Sequence, residues 1–322
     1  MVTILVHHDG RMSKADEIDP AWLAEGSAAT LWVDLAAPTP GEARLLSDVF
    51  GFHELAVEDA MQESHHPKLE AYDSYLYVIL HGIDFQASQH EFATHDADFF
   101  VGPNYLVTVT DGTSRTIPET QALCERNPRI MAEGAMALMH RIVDTMVDHY
   151  RPEVDKLESR IDELEETVFE SGETRATNQA ILDLKRDVAS LRRIILPQRD
   201  VLGRLGRREF AQITPELAYR FRDVYDHVVR LADDALLFHD RLAAILEAHL
   251  SNVSNRLNAI MKVLTIFSVI FMPMTVITGL YGMNVRLVHF PGGEEVQFLW
   301  ILGIMAGGAT AMVLLFRRWR WW

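Results

Sequence analysis

The sequence predicts an α+β domain, a mixed sheet with flanking helices, followed by one long helix and two C-terminal membrane spans. Three observations carry this. Over residues 1–125, short runs rich in β-branched and aromatic residues alternate with stretches of helical spacing. From residue 216 to residue 272 there is neither glycine nor proline, so nothing stops a helix. Residues 263–285 and 296–316 carry no charged side chain, and each stretch is long enough to cross a hydrocarbon core about 30 Å thick.

In the first region, 1–125, the strands are expected at "TILV", "TLWVDL", "YLYVIL", "ADFFVG" and "NYLVTVT". The helices between them fall on "TPGEARLLSDVFG" and "HELAVEDAMQE". Thr39 is placed to cap the first, with Glu42 three residues on. A sheet covered by helices follows from that alternation.

Residues 126–212 read as a helical hairpin. Ile142, Met146, Tyr150, Val154, Leu157, Ile161, Leu164 and Val168 recur by threes and fours and predict one helix with a single apolar stripe. "ESGET" reads as a turn, and Ile181, Leu184, Val188, Leu191 and Ile194 resume the period on the returning helix.

Residues 213–262 form the start of the long helix. Continued from near Pro215 to Tyr281, it would measure about 100 Å at 1.5 Å per residue. No globular domain contains such a rod, so it must project, pack on copies of itself or enter a membrane. The spans are placed at 263–284 and 297–316, joined by a loop at 285–296 and followed by a basic tail at 317–322. Two buried helices of a soluble protein would match the same hydropathy. The closing "RRWRWW" favours the membrane, because basic and aromatic side chains suit the lipid interface. Gly303 and Gly307 offer a small-residue face to the second span, and Pro273 should kink or loosen the first.

Basic residues flank the spans on one side. Arg256 and Lys262 precede the first, and Arg317, Arg318 and Arg320 follow the second, whereas the loop holds only Arg286. The positive-inside rule then puts both termini in the cytosol, in an inner-membrane, multi-pass protein. The opening "MVTILVHHDGRMSK" lacks the form of a signal peptide, which agrees.

The formal net charge of −16 disfavours a nucleic-acid partner. The one cysteine, Cys124, excludes an internal disulfide and a thiolate metal cluster, and reads as a buried small apolar residue. His7–His8 and His65–His66 are adjacent pairs that chelate poorly on a strand, and are expected at the surface.

The stretch "NAIMKVLTIFSVIFMPMTVITGLYGMN", ending in "YGMN", resembles the first membrane helix and signature of the CorA family of divalent cation channels. "FRDVYDHVVRLADD" and "FHELAVEDAMQESHHPKLEAYDSYLYVIL" are similar to further segments of that family. The resemblance implies a homopentameric funnel in which the first spans line a central pore. It also marks Asp223 as the stalk aspartate that helps bind regulatory ions. The partner acid from a neighbouring subunit falls near Asp84, since the aligned position is Gln86. The sequence departs from the family after the signature, where "NVRLVHFPGG" stands in place of "MPEL", and the ion transported is left open there.

Spacing adds a physical reading of the pore. Asn258, Met261, Leu264, Ser268, Met272, Thr275, Gly279 and Gly282 recur by threes and fours and share one helix face. Ringed copies of Leu264 and Met272 would make hydrophobic constrictions, which gate by dewetting. An ordinary packing face has the same spacing. At the mouth, Gly282, Met283 and Asn284 form the expected selectivity filter. Mg²⁺ gives up its water reluctantly, so a ring of Asn284 amides and Gly282 carbonyls that binds the water shell would hold the ion and still release it. Glu294 and Glu295 would raise the cation concentration at the entrance, although a solvated loop explains them equally well. His289 is a lone loop histidine. Arg256, Lys262, Arg317, Arg318 and Arg320 form a basic belt whose first role is to anchor lipid headgroups.

No G-x-x-x-x-G-K-[ST] loop occurs, so flux is expected to be passive and independent of ATP. Apposed interface carboxylates would supply feedback, because a divalent ion between them relieves their repulsion. The expected function is Mg²⁺ uptake through a passive channel gated by cytosolic divalent ions. Its partners are further copies of the chain, lipid and divalent metal, with no cofactor beyond the transported and regulatory cation. Transport of Zn²⁺, Co²⁺ or Ni²⁺ on the same scaffold is the alternative, and a membrane-anchored helical scaffold without transport is the reading from another class. No convincing catalytic constellation points to an enzyme.

Overall fold

The structure, a computed structural model, describes residues 1–24, 26–62, 66–170, 175–283 and 293–319. In chain order the elements are β1 (Val2–His8), β2 (Arg11–Ala15), α1 (Pro20–Leu23), β3 (Thr30–Ala36), α2 (Pro40–Asp48), α3 (Glu54–Met61), β4 (Lys68–Ala71), β5 (Leu76–Gln86), β6 (Glu91–Val101) and β7 (Tyr105–Thr110). The helices α4 (Thr116–Arg126), α5 (Arg129–Ala132), α6 (Ala135–Asp148), α7 (Tyr150–Glu170), α8 (Arg175–Gly206), α9 (Pro215–Tyr281) and α10 (Glu294–Arg318) follow. The chain divides into two compact units, Met1–Leu246 and Glu247–Trp322.

The first unit is built on a seven-stranded sheet of order β2-β1-β3-β7-β6-β5-β4. The β3–β7 pair is parallel, with Val33 opposite Val107, and the other five pairs described are antiparallel. The sheet is therefore mixed, as the sequence predicts. Successive side chains along a strand point to opposite faces, so β5 serves two cores. Leu76, Val78 and Leu80 join one with the later helices, while Tyr77 and Ile79 join the other with Leu46, Phe52 and Ala56 of the α2–α3 layer. Phe52 stacks on Phe100 at 4.3 Å between centroids. Thr39 closes the capping box: Glu42 N–H donates to Thr39 Oγ1 at 3.3 Å and Thr39 N–H to Glu42 Oε2 at 2.8 Å.

The structure departs from the sequence reading in three places. The apolar stripe from Ile142 to Val168 belongs to two helices, because α6 stops at Asp148 and α7 starts at Tyr150. Pro152 lies in the first turn of α7 and has no N–H to give the Asp148 carbonyl, so the helical ladder breaks there. The divisions drawn at residues 125 and 212 do not separate cores either. One apolar cluster runs from Leu5 and Val78 through Ile142, Val154 and Val188 to Phe221 and Ile245, so the hairpin is the third layer of the same unit. The third departure is in the first histidine pair: His7 is buried and His8 exposed, as adjacent positions on β1 require when one face is covered. His66 is exposed, and His65 lies outside the described residues.

Helix α9 spans 67 residues. It starts on a capped turn, in which Leu217 N–H donates to Thr214 Oγ1 at 3.3 Å. Leu217, Phe221, Val224, Val228, Leu231, Ala235, Phe238, Leu242, Ile245 and His249 are buried at three- and four-residue steps. Each such apolar side chain contributes about 1.5–3 kcal/mol by leaving water. Arg241 adds bonds to Asp162 at 2.6 Å and Glu165 at 2.7 Å on α7. From residue 250 to residue 281 no residue of α9 is buried.

Candidate ion-conduction site

The apolar part of α9 and residues Val296–Arg318 of α10 are long and apolar enough to cross a membrane, and none of either apolar window is buried in the chain. Asn258, Met261, Leu264, Ser268, Met272, Thr275 and Gly279 are all exposed, Met272 to 71%. The structure thus gathers the predicted pore-lining residues on α9 at helical spacing, all exposed among the described residues.

The hydroxyls of this segment bond back to their own helix. Ser268 Oγ donates to the Leu264 carbonyl at 2.9 Å, and Thr275 Oγ1 to that of Phe271 at 2.9 Å. Thr265 donates to Met261 O at 2.7 Å in the same way. Each hydroxyl hydrogen is thereby satisfied without water, and only oxygen lone pairs remain on offer. Pro273 sits inside the helix, and its missing N–H removes the bond that the Val269 carbonyl would accept.

The last turn explains one of its two glycines. A Cβ on Gly282 would stand 3.0 Å from the Thr278 carbonyl oxygen, the same oxygen that accepts Gly282 N–H at 2.9 Å. A side chain there crowds the bond that ends the helix. A Cβ on Gly279 would meet nothing within 4 Å among the described residues, so no contact there requires glycine. Met283 is exposed, whereas Asn284, the third member of the expected filter, lies outside the described residues, as do Arg286 and His289.

The helix that carries the second span begins at Glu294, ahead of the apolar stretch that starts at Val296. Gly293, at φ 89°, caps α10, and Gln297 N–H donates to its carbonyl at 3.0 Å. Such a φ suits glycine. Glu294 and Glu295 therefore occupy the first helical turn, and their side chains lie outside the described residues. Arg256, Arg317 and Arg318 are exposed, Lys262 is half-buried, and Arg320 lies outside the described residues.

Of the two expected regulatory acids, Asp223 is exposed on α9. Asp84, on β5, belongs to a cluster that sequence reasoning did not find. His95 Nε2 lies 2.7 Å from Asp84 Oδ2, Arg115 is hydrogen-bonded to Oδ1, and Thr113 and Asp111 flank the other ring nitrogen of His95 at 2.6 and 3.4 Å. Hairpin register was the available signal: Asp84 pairs with Ala93, so His95 lies diagonally across from it. Burial raises the Glu153 pKa, but bonds from Lys156 and the Phe85 amide outweigh it and hold the group below the usual carboxylate range. Two further carboxylates are deep in the sheet. Asp98 accepts from Tyr77 Oη at 2.5 Å and burial pushes it up to about 7, while burial pushes Asp34, bonded by Thr108, up to about 6. Among the described residues, no three His, Cys, Asp or Glu side chains are arranged to hold a metal ion.

Comparison with known proteins gives a consistent set of likenesses. A family model described as CorA-like Mg²⁺ transporter protein matches residues 27–318. The chain is 32% identical over 308 residues to the putative metal ion transporter YfjQ of Bacillus subtilis, covering 95% of this chain and 91% of that one. It is 30% identical over 317 residues to the cobalt/magnesium transport protein CorA of Thermotoga maritima, covering 97% and 89%. The complete structure of the CorA magnesium transporter from Methanocaldococcus jannaschii matches with a TM-score of 0.83 over 99% of this chain and 98% of that chain. Identity there is 23%, so the shared property is the fold.

Proposed function

This chain belongs to the CorA-like Mg²⁺ transporter family and is an inner-membrane divalent cation transporter, not an enzyme; from that premise we propose that it is a passive Mg²⁺ uptake channel. Copies of the chain, five by the family resemblance, assemble so that the first spans surround a central pore. A two-span monomer encloses no conduit, and the uncovered face from Asn258 to Gly282 supplies the lining.

The observation that carries this reading is the inward bonding of the Ser268 and Thr275 hydroxyls. A hydrated Mg²⁺ ion presents water hydrogens, so a wall that receives it must accept hydrogen bonds. Lone pairs from Ser268 and Thr275, amide oxygens from Asn284 and carbonyls from Gly282 make such a wall. Neutral dipoles hold the ion weakly enough to release it. Leu264 and Met272 form the apolar constrictions between. The membrane potential drives entry, at about 2.3 kcal/mol per unit charge per 100 mV and twice that for a divalent ion. Glu294 and Glu295 concentrate cations at the entrance, and the basic residues Arg256, Lys262, Arg317, Arg318 and Arg320 anchor the cytosolic boundary. Cytosolic divalent ions close the channel by binding between Asp223 of one subunit and Asp84 of the next.

Flux into proteoliposomes across a panel of divalent metals tests the reading. Asn284→Ala should abolish Mg²⁺ uptake and leave assembly intact, and hexaammine cobalt, which imitates a hydrated ion, should block the parent. Uptake that survives Asn284→Ala rejects the filter. The Thermotoga maritima relative is named for cobalt as well as magnesium, which favours Co²⁺ as a second cargo. Zn²⁺ and Ni²⁺ belong in the same panel.

A further inference from the structure

In the folded chain both oxygens of Asp84 already have partners, Arg115 on Oδ1 and His95 on Oδ2. The Arg115 guanidinium also stands 3.5 Å from Glu153 Oε1. Glu153 is nearly buried, accepts Phe85 N–H at 3.0 Å and takes Lys156 Nζ at 2.7 Å. Arg115 thus lies between carboxylates of two elements, β5 and α7, where a bridging cation relieves their repulsion. At the N-terminus of α4 its side chain makes no capping bond and reaches instead to Asp84 and Glu153. The charges of Asp84, Glu153, Arg115 and Lys156 cancel. Because the Arg115 side chain is 60% exposed, solvent screens its hold on Asp84 and a competing cation can displace it.

We propose that Arg115 is a built-in counter-cation that competes with cytosolic divalent ions for Asp84 and so sets the concentration at which they act. The inference rests on the reading that Asp84 and Asp223 hold such an ion between subunits. Carboxylates are the donors a hard divalent cation prefers, and Asp84 becomes available as Arg115 leaves Oδ1.

The test uses the full-length chain in two ways. Mg²⁺ inhibition of flux is titrated from the cytosolic side of proteoliposomes, and Mn²⁺ binding to the same purified protein is read by electron paramagnetic resonance. Arg115→Gln should lower both the half-inhibiting Mg²⁺ concentration and the Mn²⁺ dissociation constant, by about threefold to fivefold for an exposed pair. Arg115→Lys, which keeps the charge, should stay close to the parent in both. Asp84→Asn should weaken both effects, and the Arg115→Gln/Asp84→Asn double variant should match Asp84→Asn alone. Arg115→Met supplies the same comparison if the glutamine variant does not assemble. Unchanged curves in the charge-removing variant overturn the proposal, as does a shift that persists in the double variant. Inhibition and Mn²⁺ binding that ignore both Asp84→Asn and Asp223→Asn overturn the regulatory reading itself, and this inference with it.

Discussion

Helix α9 has two halves that differ in where their partners are. From Leu217 to His249 one side chain in every three or four is buried against its own chain, and salt bridges from Arg241 reinforce the packing. From residue 250 to residue 281 none is buried, although the segment is the more apolar of the two. Apolar surface left uncovered on this scale marks a contact surface. The first half is held by the fold of one chain; under the proposed function the second is completed by lipid and by further copies. Stability and transport are therefore expected to be mutable separately along a single helix.

The strongest way to break that contrast is by truncation in each half. Phe221→Ala, at a fully buried site, should cost about 3–5 kcal/mol of unfolding free energy in a denaturant titration of the cytosolic unit. Phe271→Ala, at a side chain 57% exposed, should leave that transition within about 0.5 kcal/mol and act on oligomer mass in detergent instead. Equal costs at the two sites would erase the distinction.

Next in size is a pH effect confined to the first unit. Asp98 is raised to about 7 and Asp34 to about 6, both by burial, so the folded state holds protons that the unfolded chain has released. Their contribution is fully present below about pH 4 and is lost as pH rises to about 7. Asp98→Asn should flatten that slope in urea melts taken from pH 4 to 8. Gly279→Ala sharpens the contrast further: its methyl meets nothing within 4 Å among the described residues, so unfolding of the cytosolic unit should not change. A loss of about 1 kcal/mol should appear in subunit association if copies approach closely there. The smallest effect is expected for Ser268→Ala. It should move unfolding by less than about 0.5 kcal/mol, since the hydroxyl bonds only to its own helix, while slowing Mg²⁺ flux.

Much of this architecture was legible in the sequence because it is local or periodic. The Thr39–Glu42 box, the period-2 strands and the glycine-free run each state their structure within a few residues. The family of the site was legible too, through "YGMN" at the end of an apolar helix. Contacts between distant elements were not. Nothing near Asp84 announces that Arg115, 31 residues on, will reach it, or that Glu153 will cap the Phe85 amide. Burial of His7 depends on which face of β1 the sheet covers, and the α6–α7 break depends on one missing N–H at Pro152, hidden inside an unbroken apolar stripe. Periodicity registers faces and is blind to a single lost backbone bond.

The inward-turned hydroxyls carry one more consequence. Protons travel along files of water by hopping, which needs every link to take a hydrogen on one side and hand one over on the other. The hydroxyls of Ser268 and Thr275 take but do not give, because their own hydrogens are committed to Leu264 and Phe271. If copies of the chain ring a pore as proposed, a water file drawn past these hydroxyls is oriented by them, and the relay is interrupted where the metal ion's own shell is welcomed.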